Sequence, residues 1–287
     1  MWISYSKYST FKQCPLKYKF QYIDKIKTKP APALFFGRAI HSCLEWLHRP
    51  DASDESRSFS ELISYLYSIW TPDPPLAAEL EKEDVDFDDW LEAGECSIDR
   101  AERILEAYYK KHLPGVDEFN KPAMRAYAVE KKFMIKFDGD IVNGIIDRVD
   151  MLDGGGGFEI IDYKTNKKAP NRLFDDNLEQ LAIYKWAAEE GLVWPDDSFD
   201  PGDPLGYSPV KAAGLFFVDP SYNGKMFPDK DLNVDEIKLK MRKTINDIKA
   251  ETSKSKNEEL AFAPCENRLC DWCDFQDLCP TRTGATG

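Results

Sequence analysis

Between residues 126 and 164 the chain changes period, and that change limits the folds open to it. Residues 126–137, AYAVEKKFMIKF, alternate apolar and polar side chains. Asp138-Gly139-Asp140 supplies a turn, and 141–152, IVNGIIDRVDML, returns as a second alternating run. Four glycines at 154–157 lead into a third run, FEIIDYK, at 158–164. In an extended chain successive side chains alternate between faces, so Phe158, Ile160, Asp162 and Lys164 share one face. An aspartate and a lysine therefore leave an apolar core on the same side of a strand. Asp147 is the same anomaly one hairpin earlier, a carboxylate on the face of Ile145, Val149 and Met151.

On either side of this meander the apolar spacing is helical. Serine or threonine at 4–10 can cap a first helix through YSTFKQCPLKYKFQYI, with Pro15 tolerated near a helix start. The spacing predicts helices over 36–48, 97–112, 177–190 and 234–250, and a further strand over 212–220. Residues 51–100 are acidic and broken by prolines, and read as a helical insertion with solvated faces. Helices, a three-strand meander, a helix, a strand and a helix give an α/β domain around a mixed sheet.

A chain of 287 residues has ample core for one such domain. No stretch approaches the roughly 20 apolar residues of a membrane span, and MWISYSKYSTFKQC lacks the apolar segment of a secretory signal. A cytoplasmic, membrane-free protein is the expectation. Net charge is −13, which by itself argues against nucleic acid, but the average hides an asymmetry. Residues 1–40 hold Lys7, Lys12, Lys17, Lys19, Lys25, Lys27, Lys29 and Arg38 against Asp24 alone, interleaved with Tyr5, Tyr8, Phe11, Tyr18, Phe20 and Tyr22. That mixture is either a solvated basic face or a surface for phosphates and bases.

Two carboxylates on adjacent strands with a lysine beside them suit phosphodiester hydrolysis. Hard oxygen ligands hold Mg²⁺, and the ammonium orients water or offsets charge on the phosphate. The plainer reading is a buried ion pair. Of seven cysteines, Cys265, Cys270, Cys273 and Cys279 fall at the C-terminal end. In a reducing compartment such clustering favours metal, a structural zinc or a 4Fe–4S cluster, over disulfides. Cys43 and Cys96 read as ordinary core or surface residues.

Gly144-Ile145-Ile146-Asp147 followed by Ile161-Asp162-Tyr163-Lys164 resembles the PD-(D/E)XK nuclease superfamily, with Asp162-Tyr163-Lys164 as its (D/E)XK element. Gly37-Arg38-Ala39-Ile40-His41 is similar to the helical histidine motif of the RecB-like branch. Gln180 and Tyr184 match that branch's Q-x-x-x-Y element, and sit on one helix face. Cys270-Asp271-Trp272-Cys273, then Cys279-Pro280, resembles the terminal triplet of CRISPR-associated iron–sulfur exonucleases. Their distant fourth cysteine is matched by Cys14, with Cys265 as the other candidate.

The resemblance implies a restriction-endonuclease-like core in a single domain over 1–287. To this it adds an acidic helical insertion at 51–125, and an iron–sulfur lobe formed by Cys14 and residues 265–280. It implies Mg²⁺ or Mn²⁺ held by His41, Asp147, Asp162 and the Tyr163 carbonyl, with catalysis by Asp147, Asp162, Lys164, Gln180 and Tyr184. Cys14, Cys270, Cys273 and Cys279 would hold a 4Fe–4S cluster, with zinc the less favoured occupant. Lys7, Lys12, Lys17, Lys19 and Arg38 would bind nucleic acid. The implied function is a DNA exonuclease acting on single-stranded ends in recombination or repair, CRISPR adaptation or phage DNA processing, with a recombination or CRISPR-adaptation protein as partner. The alternative is a catalytically silent DNA-end-binding or assembly subunit with a structural four-cysteine metal site.

Overall fold

The computed structural model describes residues 1–49, 57–112, 126–165, 171–193, 205–219, 224–255 and 261–283. Its strands are β1 (Trp2–Ile3), β2 (Ala128–Phe137), β3 (Asp140–Met151), β4 (Phe158–Lys164), β5 (Leu192–Val193), β6 (Val210–Phe217) and β7 (Lys225–Pro228). They form one mixed sheet in the order β5-β2-β3-β4-β6-β7, with β1 pairing on β3 off that path. The expected meander is β2–β3–β4. Asp138 and Gly139 at its first turn both have positive φ, +50° and +80°, as a two-residue hairpin turn of matching twist requires. The second turn uses Gly154 and Gly155, each at φ +72°.

β4 lies between antiparallel β3 and parallel β6, and every residue from Phe158 to Lys164 pairs with β6. From Phe158 to Ile161 the strand is paired on both edges, and β6 alone continues the pairing along its polar end, Asp162 to Lys164. The three strands beyond the meander and its parallel partner (β1, β5 and β7) are two to four residues long, too short for periodicity to reveal.

The chain groups into two compact units. One comprises Pro30–Phe133 and Ile145–Leu232. Here α3 (Pro32–His48) presents Phe36, Ile40, Cys43, Leu44 and Leu47 to a core completed by α4 (Phe59–Ile69), α5 (Pro74–Glu83), α6 (Phe87–Ala93) and α7 (Ile98–His112). The acidic insertion is therefore a cap with apolar inner faces; its expected ends, 51–56 and 113–125, lie outside the described residues. Its helices start where side chains satisfy free N–H groups. Ser58 and Glu61 form a reciprocal capping box, and Asp73 and Asp86 cap α5 and α6. Leu44, Leu62, Leu66 and Leu105 are fully buried, each stabilising by about 1.5–3 kcal/mol. α8 (Asn171–Glu190) completes this unit.

The other unit comprises Met1–Lys29, Met134–Gly144 and Asn233–Gly287. The single first helix expected from the sequence is broken here. α1 (Tyr5–Gln13) ends at Cys14, which is extended at φ −162° and ψ 114°, and α2 (Pro15–Tyr18) restarts with proline at its first position. A π-helical turn, Lys19–Ile23, follows. Phe11 and Tyr18 pack on Phe262, and Phe20 on Phe275, tying this segment to the C-terminal residues. α9 (Val234–Lys254) buries Ile237, Met241, Ile245 and Ile248, the stripe its sequence predicts. The last helical turn, α10, is Pro280–Thr283. Among the described residues no helix is long and apolar enough to cross a membrane.

Candidate active site

The β3–β4 ladder pairs Met151 with Phe158 and ends at Arg148 opposite Ile161. At the next position the Asp147 side chain takes over: its Oδ2 accepts from the Tyr163 N–H at 2.8 Å. Along β4, Lys164 Nζ lies 2.6 Å from Asp162 Oδ2, with Asp162 almost wholly buried. The ammonium also donates to Gln180 Oε1 at 3.2 Å, and Gln180 Nε2 donates to the Tyr184 hydroxyl at 2.9 Å. Asp162, Lys164, Gln180 and Tyr184 thus form one chain of polar contacts from β4 to α8.

His41 approaches from α3. Its Nδ1 is 3.6 Å from Asp147 Oδ2, and its ring lies edge-on to Tyr163. Gly37, one turn earlier, lets the end of β4 come close, since a Cβ there would sit 3.3 Å from the Thr165 hydroxyl. Strand alternation places Asp147 beside Ile145, Val149 and Met151 on an apolar face. Val149 is buried, but Ile145 and Met151 are exposed, because the sheet is covered only along part of β3.

Sequence reasoning missed Glu130. One ligand atom from each of His41, Glu130 and Asp147 lies within 4.8 Å of the others. Glu130 has φ +44° early in β2, a left-handed backbone that a non-glycine residue rarely adopts. Such strain in a non-glycine residue costs about 1–3 kcal/mol and gathers at functional sites. The one available signal was a lone glutamate in a lysine-rich strand next to that of Asp147.

The electrostatics describe a site with surplus negative charge. Burial, and then the Asp162 carboxylate, hold Asp147 well above the usual carboxylate range, against the pull of the Tyr163 N–H. Burial, then Glu45 and Asp162, push Glu130 up to about 7. Burial lowers His41, more than the Asp162 charge raises it, which keeps a ring nitrogen free to bind metal. Two carboxylates crowded into a desolvated pocket with a neutral imidazole are what a divalent cation relieves. Their oxygen-rich donor set with one nitrogen fits Mg²⁺ or Mn²⁺. Asp162 stands beside this trio, engaged with Lys164, rather than within it.

The cysteines expected at a second centre also come together. Cys14, Cys265, Cys270, Cys273 and Cys279 line one cavity. The Cys265 N–H points at Cys14 Sγ (3.4 Å) and the Asn267 N–H at Cys270 Sγ (3.3 Å). Cys43 and Cys96 are buried elsewhere, with burial raising the Cys43 thiol to about 12. The basic residues are more occupied than their sequence suggests. Lys7 donates to the Trp2 carbonyl, Lys12 lies over the Tyr8 ring, Lys19 pairs with Asp24, and Arg38 lies 4.0 Å from Asp73.

Residues 2–280 match the family model described as the PD-(D/E)XK nuclease superfamily. A relative, the gene 69 protein of Mycobacterium phage D29, is 27% identical over 195 residues, which covers 64% of this chain and 67% of that protein. The crystal structure of SSO0001 aligns with 98% of this chain and 86% of its own, at a TM-score of 0.41 and 13% identity.

Proposed function

The chain belongs to the PD-(D/E)XK nuclease superfamily, and we propose that it is a divalent-metal-dependent DNA exonuclease that hydrolyses phosphodiester bonds at single-stranded ends. The convergence of His41, Glu130 and Asp147 beside the Asp162–Lys164 pair carries this reading. A divalent cation held by that trio would supply Lewis acidity toward the phosphate and lower the pKa of water. The protein groups do the rest. Lys164 holds the attacking water in line with the leaving oxygen and offsets charge that grows on the phosphate during attack. Asp162 fixes the ammonium from one side and Gln180 from the other, with Tyr184 fixing Gln180. The Tyr163 carbonyl, against His41, would be a further oxygen ligand. Lys7, Lys12, Lys17, Lys19 and Arg38 would contact phosphates, and a phage relative favours phage DNA processing among the expected settings.

For the cysteine cavity the proposed occupant is a 4Fe–4S cluster ligated by Cys14, Cys270, Cys273 and Cys279. Its support is the shared cavity and the N–H groups directed at the Cys14 and Cys270 sulfurs, since hydrogen bonds to sulfur are a feature of such clusters. Zinc on the same thiolates is the competing occupant, and iron analysis separates the two.

The deciding assay for the activity uses end-labelled single- and double-stranded DNA with Mg²⁺ or Mn²⁺, resolved for product length. Progressive shortening of single strands is expected, and intact substrate under every metal condition would overturn the reading.

A further inference from the structure

We propose that Arg148 is the positioning residue of this site, acting from the opposite face of the sheet through a closed polar network. The proposal rests on the nuclease reading and names what holds its ligands in register. Arg148 is 4% exposed. Its Nε and Nη2 donate to the two oxygens of Asp150 at 2.7 and 2.8 Å, a bidentate fork. Its Nη1 faces His48 Nε2 at 3.0 Å, Tyr163 OH at 3.2 Å and Tyr108 OH at 3.3 Å. Tyr108 OH also meets His48 Nε2 at 2.7 Å and Tyr163 OH at 3.2 Å. A guanidinium only donates, so His48 Nε2 is an acceptor and its ring proton is on Nδ1.

Three members of this network are locked to members of the site by covalent geometry. Arg148 follows Asp147, and Tyr163 stands between Asp162 and Lys164. His48 is seven residues after His41 on α3, close to two turns and so near the same helix face. Strand alternation puts Asp147, Asp162 and Lys164 on one side and Arg148 and Tyr163 on the other. The guanidinium therefore ties together, at their backs, α3, β3 and β4, three of the four elements that carry the proposed ligands, with α7 joined through Tyr108. A rotation of α3 or a slip of β4 that displaced His41 or Asp162 would break the contacts of Arg148. An arginine is required because one planar group must reach a carboxylate with one edge and three acceptors with another. Asp150 neutralises it, which is why a charge this deeply buried is tolerated.

Removing Arg148 alone strands the buried Asp150 charge and can unfold the protein. The test therefore uses Tyr163→Phe, which deletes one hydroxyl, and the double variant Arg148→Met with Asp150→Leu, which removes both charges. Three quantities are read on each purified protein: thermal midpoint, Mn²⁺ affinity by the EPR signal of free ion, and single-turnover cleavage of end-labelled single-stranded DNA. For the double variant, Mn²⁺ affinity and saturating rate should each fall by about 10–100-fold, the usual effect of losing a group that orients metal ligands. The DNA concentration for half-maximal rate should change little. Tyr163→Phe should show the same pattern more weakly, with a midpoint near the parent's. Parental Mn²⁺ affinity and rate in both folded variants, whatever their midpoints, would make the network structural only and overturn the proposal. Should the parent itself not cleave DNA, the nuclease reading fails, while the Mn²⁺ comparison still decides the role of Arg148.

Discussion

Asp147 Oδ2 accepts a hydrogen bond from the Tyr163 backbone N–H at 2.8 Å, one position beyond the last β3–β4 pair. A side chain thereby replaces a rung of the ladder, and the same carboxylate is offered to a cation. These two duties separate by substitution. Asp147→Asn keeps a carbonyl oxygen for the N–H and sheds a charge that burial disfavours, so its thermal midpoint should equal or exceed the parent's. Asp147→Ala orphans the buried N–H and should cost about 1–3 kcal/mol. Both should lose Mn²⁺ binding and cleavage. Equal stabilities for the two variants would mean that the hydrogen bond carries nothing.

Lys164→Ala should lower the rate at saturating DNA by about 10²–10³-fold, with little loss of DNA affinity measured in Ca²⁺. The substrate phosphate already carries its charge when bound, and the basic surface supplies that attraction over many salt-sensitive contacts. The ammonium matters more as charge builds during attack. Gln180→Ala should act in the same sense by a smaller factor, because it frees the ammonium without removing it. Parental cleavage by Lys164→Ala would reduce Asp162 and Lys164 to an ion pair at a strand end.

Glu130 offers a stability–function trade. Its φ of +44° suits glycine, and its carboxylate is held up to about 7 by burial and neighbouring charge. Glu130→Gly should therefore raise the stability of the metal-free protein at pH 8, by about 1 kcal/mol from the backbone alone, and weaken Mn²⁺ binding at least tenfold. Chemical denaturation with and without Mn²⁺ measures both. A variant that binds Mn²⁺ like the parent would remove Glu130 from the ligand set.

What the sequence revealed and what it hid divide along physical lines. Asp147, Asp162, Lys164, Gln180 and Tyr184 were legible because strand and helix periods fix which side chains share a face, and unbroken elements carry them. Glu130 was hidden because a left-handed backbone at a single residue inside β2 is a local conformation that no alternation count can register. The break of the first helix at Cys14 was half visible: Pro15 marked a helix start, but the packing of Tyr18 on Phe262 and of Phe20 on Phe275 beyond it is tertiary and leaves no local signal. The basic N-terminus read as free charge, yet Lys7 and Lys19 are engaged locally, and composition does not see partners.

Cys14→Ala should bleach the purified protein in the visible range and lower its thermal midpoint, since cluster binding contributes folding energy. Cys14 lies between α1 and α2 and faces Cys265, so its loss unties the N-terminal helices from the C-terminal loop. Iron analysis and absorbance on anaerobically purified protein provide the check. Full occupancy in this variant, lost instead in Cys265→Ala, would transfer the fourth ligand to Cys265.

The last expectation concerns pH. His112 packs against Tyr108 and Phe216. Burial first, then the charges of Lys111 and Arg148, push it down to about 4 from its usual value of 6.5. The unfolded chain binds a proton on this ring below about pH 6.5 while the folded protein refuses it until about pH 4. Between those values the unfolded state carries more protons, so His112 makes stability fall as pH drops, and its contribution levels off below pH 4. Glu130 works in the opposite sense over part of the same range, since its raised value favours the folded, protonated form as pH falls from about 7. Only a difference between proteins isolates the histidine. His112→Phe keeps the aromatic packing and removes the proton site, so its urea midpoint should drop less between pH 7 and pH 4.5 than the parent's. An identical drop in both would place the acid sensitivity elsewhere.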